Sequence, residues 1–483
     1  MSRFGRVTVE PGSRLRWDRR MRMALAAVVI AGLIPLLWPG DVPFINDEPQ
    51  LIASAVKANR EGRLASVGLL GTYGFSYGPA PTWVYQALTP ITRDLVGIAT
   101  LHILLMSAAT AGAICWLGQS LRLWMWFAPV PLLSPYYWFY ARVLWDNPFL
   151  LPLGALALAG YAAFLASDSS AGLRVSVAAM LTVPLVHLMG ISLVAPLAAH
   201  MVIFRRRALW AHRYSLGAIA VAALWLAWPY WTYLAGPRPA APSAGPAIAG
   251  WLFPLFAGRL LSARELAYFY GPGPVGGRVF GMTAAISAIG YALVWCGFVV
   301  AIALMVRASR HREWTARTHV AAISVGSLLC QAVVHGITAK FEHPHYHNGA
   351  WISSVMLAWF AVDFLATGPK AARWAATSAT AALAASLLLA VGTLAVRLHR
   401  SQGTRDTYGP TLANQQQVAR ALARYPPDTD VQVHVAMWER FPHTLAILRE
   451  LNAGPRAMLA RRTIELRYAS QDPASGAIEM VVR

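Results

Sequence analysis

Long apolar runs recur along the whole chain, and they restrict its fold more than any other feature. Runs approaching the roughly 20 residues that a bilayer core demands of a helix fall near 23–38, 94–117, 124–140, 148–167, 174–188, 190–204, 215–234, 280–305, 319–336, 349–367 and 374–396. Hydrophobic residues make up 57% of the 483, against about 45–50% in soluble domains. The chain therefore reads as an α-helical polytopic membrane protein with about 11 transmembrane helices, several of them short or kinked by proline. The runs 174–188 and 190–204 are divided only around His187–Gly190, and whether they are one helix or two decides the side on which the tail emerges.

Charge orients these runs. Only 13% of residues are charged, yet the formal net charge is +20. In a soluble protein that balance would suggest nucleic acid; in a membrane protein it marks cytoplasmic loops facing anionic lipid. Met1 to Arg22 holds seven arginines and is followed by the first apolar run without a small-x-small cleavage site, so it reads as a basic cytoplasmic N-terminus ahead of a retained helix. Arg122, Arg174, Arg205–Arg213, Arg307–Arg317 and Lys370–Arg373 then fall on the same side, as the positive-inside rule expects. Cys115, Cys296 and Cys330 all lie in apolar runs and suggest neither a disulfide nor a zinc site. The membrane module covers 23–397, including a first extracytoplasmic loop at 41–92. The tail, 398–483, alternates helical and strand-like segments and reads as a small soluble α/β extracytoplasmic domain.

Three polar stretches stand out against this background. In the first loop, Asp47-Glu48-Pro49 opens a segment in which Leu51, Ile52, Ala55 and Val56 repeat at helical spacing opposite Gln50, Lys57 and Arg60. Pro49 suits a first helical turn with an acid capping it, and the amphipathic pattern suits a helix along the membrane surface. Next comes GTYGFSYGPAPTWVYQAL, whose Gly, Pro and aromatic residues suit an ordered, irregular segment lining a cavity. The second stretch is ARVLWDNPFLLPLGALALAGY, in which Asp146 precedes Pro148 and an apolar run, an arrangement that a helix cap explains by itself. The third is Lys340-Phe341-Glu342-His343-Pro344-His345-Tyr346-His347-Asn348, whose alternate histidines also admit a metal site.

The acidic pair shortly after the first helix, followed by the Gly/Tyr-rich and Pro-aromatic run, resembles the first extracytoplasmic loop of the GT-C glycosyltransferases. Within them it is similar to the branch containing the protein O-mannosyltransferases and the lipid A aminoarabinose transferases. The Asp146 stretch resembles the second acidic motif of those enzymes, and the Lys340 stretch resembles their basic motif. The resemblance implies a GT-C-like fold and transfer of a sugar from a polyprenyl-phosphate-linked donor to an acceptor hydroxyl on a lipid, glycan or protein. Carried onto this sequence, it makes Asp47 the catalytic base, Glu48 its neighbour and Asp146 a second acid across the cavity mouth. It assigns the donor phosphate to Lys340 with Arg142, His345 and Tyr346, and leaves Tyr77, Trp83 and Tyr85 to line the cavity. Where many relatives have Arg-Tyr this chain has His345-Tyr346, and a neutral imidazole offers a phosphate less than a guanidinium fork does.

A monophosphate leaving group carries less charge than a nucleotide diphosphate, so no obligatory metal and no cofactor is assigned, although a divalent ion is compatible with the acids. The implied location is a bacterial inner (plasma) membrane with the site on the periplasmic side and membrane lipids, but no nucleic acid, as partners. A polytopic transporter or lipid flippase is the rival reading. Such proteins gather polar groups at the midplane, whereas here the mid-helix polar residues are few: His102, His200 and Gln331. A membrane scaffold whose tail binds a partner is a further rival, and it leaves the acids unexplained.

Overall fold

Helices form along the apolar runs, and proline breaks several of them, although the helix Ile191–Ala211 continues through Pro196. The computed structural model describes residues 19–45, 47–71, 75–236, 248–261, 274–338, 344–405, 408–426, 429–434, 444–445, 447–449, 462–470, 472 and 474–482. The chain opens with α1 (Arg19–Leu33), then α2 (Asp47–Arg60) and α3 (Ala80–Leu88) within the first loop. Next come α4 (Leu95–Ser120), α5 (Pro135–Tyr140), α6 (Leu150–Ser167), α7 (Ser170–Thr182), α8 (Ile191–Ala211), α9 (Arg213–Leu226), α10 (Trp228–Ala235) and α11 (Ile248–Leu252). The second half holds α12 (Pro274–His311), α13 (Ala316–Thr338), α14 (Trp351–Ala366), α15 (Lys370–Ser401) and, in the tail, α16 (Leu412–Leu422).

Among the described residues seven helices are long and apolar enough to cross a membrane, or up to eight if the bent pair α9 and α10 is one span. The expected runs at 23–38, 124–140 and 174–188 do not form such helices. Proline accounts for this: Pro35 sits in a 3-10 turn after α1, the run 124–140 is divided into two 3-10 turns and α5 around Pro129, Pro131 and Pro135, and Pro184 ends α7 in another 3-10 turn.

The ambiguous region 174–204 is two elements running in opposite directions. Asp168, in the left-handed region at φ 53°, and Ser169, whose hydroxyl accepts from Gly172 N, turn the chain between α6 and α7. Ser176 Oγ donates to Ala157 O at 2.7 Å, while Gly160 lies against Gly172, so α7 runs back along α6. Leu193 lies over Gly154, and Tyr161 OH meets His200 Nδ1 at 3.0 Å, so α8 runs with α6. Away from the loops that carry the motifs, Arg317 joins three elements. Its Nη1 lies 2.8 Å from the carboxylate of Asp363 on α14, its Nε donates to Leu121 O, and Asp363 also accepts from Trp124 N.

The first loop packs on protein. Leu51, Ile52 and Ala55 of α2 are buried in the main core with Phe44, Tyr85 and Leu95, so the apolar face expected to meet lipid covers the core instead. Lys57 and Arg60 stay exposed on the other side of the helix. In the tail, α16 is capped by Thr411 and followed by β1 (Val431–Val433), β2 (Ile464–Tyr468) and β3 (Ile478–Val482) in the order β1-β2-β3. β1 and β2 are parallel, with Val431 opposite Ile464; β2 and β3 are antiparallel, with Leu466 opposite Met480. Val418, Leu422, Leu445, Ile464, Leu466 and Ile478 form a small second core that also takes Ile45 from the first loop. One of the tail's expected helical segments, ERFPHTLAILRELN, falls mostly outside the described residues.

The α6–α7 contact depends on two glycines. A Cβ on Gly160 would stand 2.5 Å from Gly172 O and 2.9 Å from Ser176 N, backbone atoms that cannot yield without separating the helices. Gly160→Ala is expected to destabilise the protein by about 1–3 kcal/mol, read as a lower melting temperature in detergent. Gly112→Ala, at a site with nothing within 4 Å, should leave melting unchanged or slightly raised.

Candidate active site

The first loop places its acids at the start of α2. Asp47 and Glu48 occupy the first turn, Asp47 half-buried and Glu48 buried, so both contribute negative charge where the helix dipole favours it. Sequence reasoning allowed one of them to be a cap; both instead lie within the helix. The residue before them, Asn46, is outside the described residues.

Asp146 comes to the same place from a distant segment. It precedes the 3-10 turn Asn147–Phe149, its Oδ1 accepts from Asn147 N at 2.6 Å, and it is only 1% exposed. Burial first, then the charge of Asp47 and, less, that of Glu48 together push its carboxyl up to about 8. Tyr85, on α3, belongs to this group as well. Burial first, then the charges of Asp146 and Glu48, hold its phenol well above its usual range. Its hydroxyl meets His102 Nδ1 at 3.2 Å, and its ring stands edge-on to Phe149, the last residue of the turn that follows Asp146.

The third stretch lies beside the second. The His345 ring sits 4.6 Å from Trp145, the residue before Asp146, and 4.3 Å from Tyr346. Tyr136 OH donates to Asn348 Oδ1 at 2.7 Å, Gln331 Nε2 donates to the Tyr346 carbonyl at 3.3 Å, and His347 stacks on Phe253 at 3.9 Å. These contacts clamp residues 344–350 between α5, α13 and the start of α6. Lys340, expected at the phosphate, lies outside the described residues, as does His343 of the alternate-histidine pattern. Among the described residues no group of three metal-ligating side chains occurs.

The remaining expected residues separate. Arg142 is buried, and its Nη2 donates to the carbonyls of Trp38 at 2.7 Å and Asp41 at 3.1 Å, with the guanidinium carbon 4.2 Å over the Trp138 ring. Those contacts brace the start of the first loop. Tyr77 packs at 4.1 Å on His187, in the break between α7 and α8. Neighbouring Gly78 lies so close to the Leu185 backbone that a Cβ would stand 2.2 Å from its carbonyl oxygen. Trp83 donates its ring N–H to Ala65 O, beside Gln86, which accepts from Ala65 N and donates to Asn59 Oδ1 and Arg63 O. Trp83 and Gln86 thus tie α2 to α3. His187, Asp41 and His399 escaped sequence reasoning because a lone His or Asp at the end of an apolar run carries no spacing signal.

Asp146 supplies a test of the electrostatics. A carboxyl raised by folding binds its proton more tightly in the folded chain, so its contribution is most favourable below the unfolded value of about 4. It is lost progressively as pH rises through about 8. Asp146→Asn keeps an oxygen for the Asn147 N–H but cannot ionise. It is expected to melt above wild type at about pH 9, with the gap narrowing toward about pH 4; thermal melts in detergent across that range check it, and a pH-independent gap would contradict it.

No protein-family model matches the chain, and no curated protein matches its sequence. Solved structures do match. ArnT from Cupriavidus metallidurans, bound to undecaprenyl phosphate, aligns with a TM-score of 0.53 at 14% identity, covering 95% of this chain and 97% of that one. The same protein in the apo state aligns with a TM-score of 0.54 at the same identity and coverage. The alignments span nearly the whole of both chains, so this chain shares the polytopic helical fold of ArnT.

Proposed function

We propose that the protein is a membrane glycosyltransferase that moves a sugar from a polyprenyl-phosphate-linked donor to an acceptor hydroxyl. The observation that carries this reading is that buried Asp146 lies within electrostatic reach of Asp47 and Glu48, on a segment about a hundred residues away, and is pushed up to about 8. Neighbouring carboxylates whose environments separate their protonation suit different tasks. The push on Asp146 favours its protonated form, and the reading gives the role of base to Asp47.

In the proposed reaction the acceptor oxygen attacks the anomeric carbon and gives its proton to Asp47, while the bond from that carbon to the phosphate oxygen breaks. The phosphate leaves with the bonding electron pair, and Lys340, with His345 and Tyr346, stabilises its charge, while Arg142 stays with the loop carbonyls that it holds. A single displacement of this kind inverts the anomeric centre. The proximity of His345 to Trp145, the residue before Asp146, supports donor phosphate and acids sharing one cleft. The likeness of fold to ArnT, solved with undecaprenyl phosphate, supports a lipid phosphate as the carrier. Tyr77 and Tyr85 are proposed to line the cleft, and Trp83 to hold the loop that forms its wall. The acceptor belongs to the lipid, glycan or protein hydroxyls of the periplasmic face of an inner membrane.

Asp47→Asn is expected to lower sugar transfer from a polyprenyl-phosphate donor by about 10²–10⁴-fold while retaining binding of undecaprenyl phosphate. Lys340→Ala should weaken that binding. Transfer at the wild-type rate by folded Asp47→Asn protein would remove Asp47 as the base, and a product of retained configuration would contradict the single displacement.

A further inference from the structure

Asp41, six positions before Asp47, is the meeting point of three segments far apart in sequence: its own, the one holding Arg142, and the one from His399 to Ala413. Its backbone carbonyl accepts from Arg142 Nη2 at 3.1 Å and from Tyr408 OH at 2.7 Å. Its carboxylate, almost wholly buried, lies 2.9 Å from His399 Nδ1 at the end of α15. The His399 ring stacks at 4.5 Å and 12° on Trp38. Trp38 holds φ at 49°, a left-handed conformation that an L side chain adopts only when its surroundings enforce it. Arg142 Nη2 takes the Trp38 carbonyl as well. The tail closes the knot, with Leu412 N donating to Val42 O at 2.9 Å and Ala413 N to Gly40 O at 3.0 Å.

Both acid-bearing segments leave from this knot. One runs from Asp41 to Asp47, the other from Arg142 to Asp146, so the separation of the carboxylates depends on how firmly Asp41 and Arg142 are joined. Burying the Asp41 carboxylate is unfavourable unless it is paired, and the pairing group comes from α15, next to the tail. We propose that Asp41, held by His399 and Tyr408, is a positioning residue through which the C-terminal part of the chain sets the distance between the Asp47 and Asp146 segments. The tail is thereby required for the reaction itself, beyond covering the first loop. This inference rests on the reading of Asp47 and Asp146 as the reacting acids.

The charges facing Asp41 are His399 and Arg142, and those facing Asp146 are Asp47 and Glu48, with Tyr85 beside them. If the knot loosens, Asp47 draws away from Asp146, and the proton on Asp146 is released at lower pH. That change distinguishes positioning from a general loss of stability.

The test uses the full-length protein with His399→Ala and Tyr408→Phe combined, which removes both C-terminal donors and leaves the acids and Arg142 in place. Hydrogen exchange is expected to rise together in the peptides spanning 38–48 and 141–149, while the strands at 464–468 and 478–482 keep their protection as evidence of a folded tail. The infrared band of the protonated Asp146 carboxyl, identified by its loss in Asp146→Asn, should titrate at lower pH than in wild type. With a polyprenyl-phosphate sugar as donor, kcat should fall about 10- to 100-fold with KM little changed. His399→Asn, whose amide nitrogen can occupy the place of Nδ1, should restore most of it in the Tyr408→Phe background. Faster exchange confined to residues 399–413, or an unmoved Asp146 titration, would overturn the proposal, as would an unchanged kcat in protein that does transfer sugar. If wild type transfers no sugar, the glycosyltransferase reading fails, and exchange and infrared titration still decide whether Asp41 holds the two segments.

Discussion

A carboxylate taken out of water must be paired, supplied with donors or protonated, and this requirement shapes the polar parts of an otherwise apolar chain. Three buried acids meet it in different ways. Asp363 has Arg317 and the Trp124 N–H. Asp41 has His399 at its carboxylate. Asp146 has the Asn147 N–H but faces Asp47 and Glu48, so it is pushed toward its protonated form. The first two solutions join helices and loops. The third leaves a group with an unusual proton affinity beside other acids, which is the arrangement expected where protons are moved.

Polar residues inside the helices serve a different end. His102 meets Tyr85, and Gln331 reaches the Tyr346 carbonyl, so each ties a helix to a loop near the acids. His200 joins Tyr161 at 3.0 Å and His319 at 2.9 Å, with Arg205 at 3.4 Å from His319 Nε2. Arg205 can only donate, so His319 carries its proton on Nδ1 and passes a hydrogen bond to His200 Nε2, whose own Nδ1 proton points to Tyr161. Every imidazole nitrogen in that chain is used. These groups bind α6, α8 and α13 together, which accounts for polar residues in apolar helices without a transport path.

Much of the fold was legible because apolar periodicity and proline are local signals. The long spans, the helix after Asp47 and the tail strands follow from patterns of a few neighbouring residues. The runs that fell short did so at Pro35, Pro129, Pro131, Pro135 and Pro184, residues visible in the sequence whose effect depended on how much irregular backbone neighbouring segments could satisfy. The opposite directions of α7 and α8 were not legible, since they depend on which faces Gly160, Gly172 and Leu193 present to α6.

The candidate site divides along the same line. From the sequence alone came the residue types and their segments: an acidic pair opening α2, an acid ahead of α6, an aromatic stretch and a histidine-rich turn. Tertiary structure decided which of these meet. It put Asp146 within electrostatic reach of Asp47 and Glu48, put His345 against Trp145, and gave Arg142 and Trp83 to the framework of the first loop. It also revealed Asp41, whose partners lie 101, 358 and 367 positions away. Periodicity is a property of neighbours along the chain, whereas burial and the field at a carboxylate are set by whatever the fold brings beside it.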